Sequence, residues 1–230
     1  MKILSIETSA KQFSLAVCDG DKVIKSRTKV LDQVLSDSIV PAIDRILKDA
    51  KLSLAKIDAL VVGLGPGSFT SLRVGLSTVK GLAFATGKPV IGIPSLDAVA
   101  LNVGPQAAQI CVISDAKRNM VYSAIYENKK GNLKRRSEYL LTPLPDLLDR
   151  IENNTIFVGD AVKLFQPNIE LYFATANKKV NIEFAPETQA HPSAQNLNIL
   201  AQGDLKKKKF ANINKLVPLY LYPEDCQVQK

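Results

Sequence analysis

Apolar and polar positions in the first hundred residues switch between two periods, and the switching predicts an α/β order of elements. Ile3 to Glu7 is a short apolar run and Phe13 to Cys18 alternates. Asp19-Gly20-Asp21 then turns the chain, so that Lys22 to Val30 returns as a third strand. Leu35, Ile39, Ile43, Ile46 and Leu47 share one face of a helix placed over Asp32–Asp49, with Pro41 predicting a kink or a later start. Ile57 to Leu64 is continuous and rich in Val and Leu, as strands covered on both faces are. Next come Gly65 to Gly75, a second helix reaching about Thr86, a stop at Gly87-Lys88-Pro89, and a strand over Val90–Ile93. The order βββαβαβ is that of an α/β half-molecule.

The pattern then begins again. Lys2 to Val17 aligns with Ile110 to Ile125, 108 residues on. Each copy has an apolar strand ending in an acid, Glu7 or Asp115, then a polar turn and an alternating strand. A return strand follows each, Lys22 to Val30 and Leu133 to Leu141. In the second copy Thr142-Pro143 reads as the N-cap and first residue of a helix. Thr155 to Val158 is a further strand. Two hairpins can resemble each other by chance, but repeated βββα units with an acid at the first turn suggest duplication. The boundary is placed near Val103-Gly104-Pro105, giving an N-terminal lobe of 1–103 and a C-terminal lobe of 104–230. Leu96–Leu101 ends the first lobe as a helix. Pro192 to Leu205 reads as helical, and Val217 to Tyr222 as extended.

Composition narrows the classes. The 230 residues are 46% hydrophobic and 23% charged, an ordinary globular balance with room for one large domain or two small ones. No apolar run approaches the roughly 18 residues of a membrane span, and Glu7 interrupts the N-terminal stretch before it could act as a signal peptide. Cys18, Cys111 and Cys226 lie far apart without a CxxC pair, which suits a reducing compartment. His191 is the single histidine, so a site needing two His ligands is excluded. The expectation is a cytoplasmic protein without a metal or other cofactor. The net charge is +8, with cations clustered at Lys129-Lys130, Lys134-Arg135-Arg136 and Lys206 to Lys209, which read first as solvated loops and a helix end and secondly as a face for an anionic partner. No RNA-binding module signature accompanies them, so any nucleic-acid contact would be to phosphates, through charge.

Two turns carry candidate chemistry. Glu7-Thr8-Ser9 closes the first strand, and its hydroxyls and amides could face a phosphate or simply satisfy their own hairpin. Gly65-Pro66-Gly67-Ser68-Phe69-Thr70 joins a strand to a helix, with Ser68 and Thr70 as candidate caps of an anion-binding N-terminus. It is neither a Walker A loop, a nucleophile elbow nor a dinucleotide fingerprint, and a tight structural turn fits as well. Arg73, one turn into the helix, opposes the helix dipole, which suggests an acidic or phosphate partner, although a plain surface arginine fits as well. Leu72, Leu76, Val79 and Ala83 form a helical stripe of the kind that is usually core, which Val74, Phe84 and Ala85 widen toward a possible protein contact.

With these residues in view, the chain resembles the TsaB (YeaZ) family across essentially its whole length. The strand ending in acid-Thr-Ser appears as Ile6-Glu7-Thr8-Ser9. The signature GPGSFTGLR[IV]G appears as GPGSFTSLRVG, Gly65 to Gly75. A DARRxxVY-like turn appears at Asp115 to Tyr122, and the closing P[VL]YLR pattern at Pro218 to Tyr222. Departures are Ser71 for Gly, Lys117 for Arg, Leu35-Ser36 for His-Ser and Tyr222 for the final Arg. The resemblance implies the actin/sugar-kinase/Hsp70-like α/β fold with two duplicated βββαβα lobes. It implies a non-catalytic scaffold, an inactive homologue of TsaD. With TsaD and the ATPase TsaE it would form the complex that puts threonylcarbamoyl on the tRNA adenosine beside the anticodon, for codons beginning with A. Pairing with TsaD would use the helices Asp32–Asp49 and Ser68–Thr86, through Leu35, Ile39, Leu72, Arg73, Leu76, Val79, Lys80 and Ala83. A homodimer through the same face would compete. The alternative is an ATPase or small-molecule kinase of the same fold, using Glu7 or Asp115 and a phosphate at Gly65, Gly67, Ser68 and Thr70.

Overall fold

The computed structural model describes residues 1–30, 35–105, 108–176 and 178–222. They fall into two compact units. The first is Met1–Ala98 with Pro192–Leu219, and the second is Val99–His191 with the chain from Tyr220 onward.

The first unit is built on β1 (Lys2–Glu7), β2 (Gln12–Asp19), β3 (Lys22–Val30), β4 (Ala59–Gly63) and β5 (Val90–Ile93), in the order β3-β2-β1-β4-β5. β1 pairs antiparallel with β2 and parallel with β4, which in turn runs parallel to β5. Two helices, α1 (Leu35–Asp49) and α2 (Phe69–Thr86), cover one face. Leu4, Ile6, Leu60 and Val62 point into that layer, with Ile39, Ile43, Ile46, Leu76 and Val79 above them. The alternate residues Ile3, Ala59 and Val61 pack on the other face against Leu197, Ala201 and Leu205 of α6 (Ala194–Lys206). Ser193 caps α6 by accepting from the Asn196 N–H at 3.2 Å. Because both faces are covered, β1 and β4 read as continuous apolar runs although their side chains still alternate.

α1 runs through Pro41, which sits on its exposed side, and residues 31–34 of the expected helix lie outside the described residues. α2 ends at Gly87, whose left-handed backbone (φ 67°) lets its N–H reach the Ala83 carbonyl at 2.8 Å.

The first part of the first unit ends within α3 (Ser95–Ala100), and the second unit follows. The second sheet contains β6 (Gln109–Asp115), β7 (Met120–Lys129), β8 (Asn132–Arg135), β9 (Leu140–Pro143), β10 (Thr155–Val158) and β11 (Ile182–Phe184). Its order is β11-β10-β6-β7-β8, with β9 also on β7, and its helices are α4 (Leu144–Asp149) and α5 (Val162–Thr175). The first five-strand path is repeated: a central strand, an antiparallel hairpin on one side, and two parallel strands on the other. The copies differ at the first turn, since Glu7 pairs with Ser14 but Asp115 with Val121. The second turn is one residue tighter, with Lys117, Arg118 and Asn119 all at positive φ (65°, 53° and 58°). An ungapped alignment of the repeats is therefore one residue out beyond the turn.

Four expectations change. Thr142 does not cap a helix: it is a buried β9 residue opposite Val121, and α4 starts at Leu144. The return strand at 133–141 breaks into β8 and β9, because Ser137 Oγ takes the Ile125 N–H at 2.9 Å in place of a ladder bond. α5 and β11 were not foreseen. Val162, Phe165, Ile169, Tyr172 and Phe173 do share one face of α5 and pack in the second core, but Pro167 inside the helix and the exposed Leu164 and Leu171 obscure that stripe. Finally, the division at 103 differs from the observed change of unit at Val99, and the last helix returns to the first unit, where the sheet's second apolar face needs a cover.

This arrangement makes α6 a structural part of the first sheet. Leu197→Ala, at a fully buried position, should cost about 2–5 kcal/mol, read as a lower urea midpoint. A midpoint within error of the parent would mean α6 is dispensable.

Candidate functional site

The Glu7 and Gly65 turns meet at the C-terminal ends of β1 and β4, joined through the first residue of α3. Glu7 ends β1 with no solvent exposure, and Thr8 and Ser9 are buried with it. The Ser9 N–H donates to Glu7 Oε1 at 2.6 Å, and the Ser95 hydroxyl donates to Glu7 Oε2 at 2.8 Å. Ser95 Oγ accepts in turn from the Gly65 N–H at 3.0 Å, while the Ser95 N–H donates to the Gly65 carbonyl at 2.8 Å. One serine therefore ties the acid at the end of β1 to the loop after β4. The Ser68 N–H donates to the Ser9 carbonyl at 2.9 Å and closes the ring. The Gly65–Pro66 peptide is cis.

Close approach sets the residue types here. A Cβ on Gly67 would stand 2.2 Å from the Ser9 carbonyl oxygen, and one on Gly75 2.2 Å from Thr8 Oγ1. The motif glycines thus let the two turns and the first turns of α2 interlock. Ser68 does not cap α2; its hydroxyl bonds instead to Ser71 Oγ at 3.0 Å, using the residue that departs from the family signature. Thr70 is exposed. Thr8 Oγ1 has no hydrogen-bond partner among the described residues.

Glu7, Thr8, Ser9, Gly65, Gly67 and Ser68 are therefore brought together, but facing one another. The Ser9, Gly65 and Ser68 amides are spent inside the cluster, so they do not converge on an outside anion. Burial pushes the Glu7 carboxyl above the usual carboxylate range, against the opposing pull of the Ser9 and Ser95 hydrogen bonds. Ser95 was missed in the sequence. A serine opening a helix reads as a cap, and only the pairing of β1, β4 and β5 brings it to Glu7.

The expected docking face needs correction. Leu35, Ile39, Leu72, Leu76, Val79 and Ala83 are all buried within this chain, at 6% exposure or less; all but Leu72 belong to the core between the helices and the sheet, and Leu72 lies against Gly65. Lys80 is half-buried and Arg73 exposed. The outward face of the helices is instead Phe69, Val40 and Phe84, at 54%, 56% and 64% exposure, with exposed Ser77 and Gly81 between the phenylalanines. The Arg73 guanidinium lies 3.8 Å over the Phe69 ring.

In the second unit, Asp115 is ion-paired with Lys117, and its N–H donates to Asp160 Oδ1 at 3.1 Å. Among the described residues, no group of three or more His, Cys, Asp or Glu side chains is gathered to hold a metal. No helix among them is long and apolar enough to cross a membrane.

The buried carboxyl makes a pH prediction. Unfolded, Glu7 titrates near its ordinary 4.5; folded, it holds its proton to higher pH. Its contribution is thus full below pH 4.5 and declines as pH rises through the folded value. Glu7→Gln keeps an acceptor for Ser9 and an N–H for Ser95 Oγ, and should abolish that decline. Urea midpoints of parent and variant between pH 4 and 8 test it, and parallel profiles would remove the linkage.

The comparisons with known proteins agree with this architecture. The family model described as TsaD: tRNA N6-adenosine threonylcarbamoyltransferase matches residues 29–229. The tRNA threonylcarbamoyladenosine biosynthesis protein TsaB of Bacillus subtilis (strain 168) is 29% identical over 224 residues, 96% of this chain and 94% of that protein. The protein of the same name from Haemophilus influenzae is 37% identical over 125 residues, 53% of this chain and 52% of its own. The solved structure of YeaZ from Pseudomonas aeruginosa superposes with a TM-score of 0.76 at 22% identity, covering 96% of this chain and 99% of that one. The shared architecture is the actin/sugar-kinase/Hsp70-like fold expected from the sequence. By its matching residues and its topology, the chain belongs to the TsaD family and, within it, to the TsaB (YeaZ) proteins.

Proposed function

We propose that this chain acts in tRNA threonylcarbamoyladenosine biosynthesis as a non-catalytic scaffold and activator subunit. Its partners would be the homologous enzyme TsaD and the ATPase TsaE. Their joint product is threonylcarbamoyl on the tRNA adenosine beside the anticodon, for codons beginning with A, with tRNA bound through the complex.

The observation that carries this reading is the closed state of the Glu7 cluster. A kinase or ATPase of this fold would need the Glu7 turn and the Gly65–Thr70 loop to receive phosphates. Here the carboxyl is sealed by Ser9 and Ser95, and the loop amides bond to Ser95 and to Ser9. Opening them would leave a buried carboxylate and buried amides unpaired, at about 1–3 kcal/mol for each group.

Docking on TsaD would use the outward face of α1 and α2. Phe69 and Phe84 lie fifteen residues apart, about 22 Å along the helix at 1.5 Å per residue. Ser77 and Gly81 between them leave room for a partner helix to approach closely. The same face would serve a homodimer when TsaD is absent, so the two states would exclude each other.

Phe69→Asp combined with Phe84→Asp should weaken co-purification with TsaD at least tenfold. Both positions are exposed, so the melting temperature should stay within a few degrees of the parent. Undiminished TsaD binding would sink the docking face. In parallel, isothermal titration with ATP and ADP plus magnesium should be silent, beside an ATP-hydrolysis assay without turnover; micromolar binding with turnover would restore the kinase or ATPase reading.

A further inference from the structure

Residues 99–191 of the second unit carry eleven cations and ten anions, so their charge nearly cancels. Its distribution does not. Five of the cations, Lys129, Lys130, Lys134, Arg135 and Arg136, fall within 129–136, a stretch with no acid at all. The remainder of 99–191 is net negative. The strands β7 and β8 fold this stretch into a hairpin with Glu127 opposite Lys134 and Lys129 opposite Asn132. The last β6–β7 pair is Ile110 with Tyr126, so the residues from 127 to the tip run past the pairing with β6. Lys130 and Gly131 turn the tip with φ of 54° and 80°.

Internal pairing does not account for the cations. Among the described residues Glu127 is the one carboxylate engaged, accepting from Arg136 at 2.8 Å and pairing with Lys129 at 3.2 Å. Lys130 and Lys134 are exposed and have no ion pair among the described residues. Arg135 stacks its guanidinium 4.0 Å over the Tyr139 ring and donates to the Ser137 carbonyl, so it is held flat without being neutralised. Charges on an edge strand also discourage edge-to-edge pairing. That role is indifferent to sign, whereas every uncompensated charge here is positive.

We propose that the β7–β8 hairpin is an RNA-docking element of this chain, on which Lys130, Lys134 and Arg135 contact the phosphodiester backbone. The inference rests on the tRNA-linked role proposed above and names the surface this chain would contribute. A narrow two-stranded ribbon with cations on both strands can follow a phosphate backbone. The stacked Arg135–Tyr139 pair adds a planar surface for an unpaired base, which an acidic protein surface would not use. Recognition through these groups is independent of sequence and sensitive to salt.

The test is fluorescence anisotropy of a labelled tRNA transcript across a salt series. It is run with this chain alone and with the chain mixed with TsaD and TsaE. The variants are Lys130→Glu/Lys134→Glu/Arg135→Glu and the milder triple alanine. The glutamates guard the sheet edge as well as lysines do, so folding should persist, checked by melting temperature. RNA affinity of the glutamate variant should fall at least tenfold, and the slope of log K against log salt should shrink by about two units, at roughly 0.7–0.9 per lost phosphate contact. The alanine variant should fall in between. Unchanged affinity and slope overturn the proposal, and if TsaD still co-purifies, the scaffold role stands without it. Loss of TsaD binding with intact RNA binding also overturns it, and assigns the hairpin to an acidic protein surface. Should the parent chain fail to bind TsaD, the scaffold role fails, and the titration with the chain alone decides the hairpin by the same criteria.

Discussion

A carboxyl group with no access to water organises the first unit. Glu7 is removed from solvent at the end of β1, where an unpaired charge would be prohibitive. The structure answers with two donors, the Ser9 amide and the Ser95 hydroxyl. Ser95 can serve only if its hydroxyl proton is directed at Glu7, and the Gly65 amide donating to the same oxygen directs it. The need to satisfy one acid thus joins the end of β1, the loop after β4 and the start of α3. The requirement for glycine at 67 and 75 follows, because a Cβ at either would collide with the Glu7-Thr8-Ser9 turn.

Duplication placed an acid at the same point of both units, and packing gave the two acids different environments. Glu7 is sealed, whereas Asp115 keeps 23% side-chain exposure and pairs with Lys117 across a tighter turn. A residue type at a repeated position therefore does not carry a role with it. The same holds for the cations. At the end of α6, Lys206 to Lys209 sit where the helix carbonyls favour positive charge. Of the cations at 129–136, Lys129 and Arg136 pair with Glu127, whereas Lys130 and Lys134 have no ion pair among the described residues and no helix end beside them.

The strand and helix order of the first unit was legible because its side chains repeat at two distinct periods. Ile3 to Glu7, Phe13 to Cys18 and Val90 to Ile93 became strands, and Leu35 to Leu47 became one buried helix face. The helix over 162–175 was missed, since Pro167 breaks its pattern and the exposed Leu164 and Leu171 obscure the stripe of Val162, Phe165, Ile169, Tyr172 and Phe173. The candidate turns were found through their glycines and hydroxyls. Whether they face a ligand or each other depends on which strands are neighbours, and local spacing does not carry that information.

Helical periodicity also identifies an apolar stripe without saying what covers it. Leu76 and Val79 belong to a stripe of the kind that is usually core, and β1 and β4 beneath them are what covers it. The sequence by itself determined the fold class, the repeat, the acid at each first turn and the family, because these reside in periodicity and in motifs of adjacent residues. Only the tertiary structure decided that Ser95 holds Glu7, that α6 covers the first sheet and that Phe69 and Phe84 face outward. Each of those depends on contacts between segments distant in the chain, where burial and hydrogen bonding are settled by which surfaces meet.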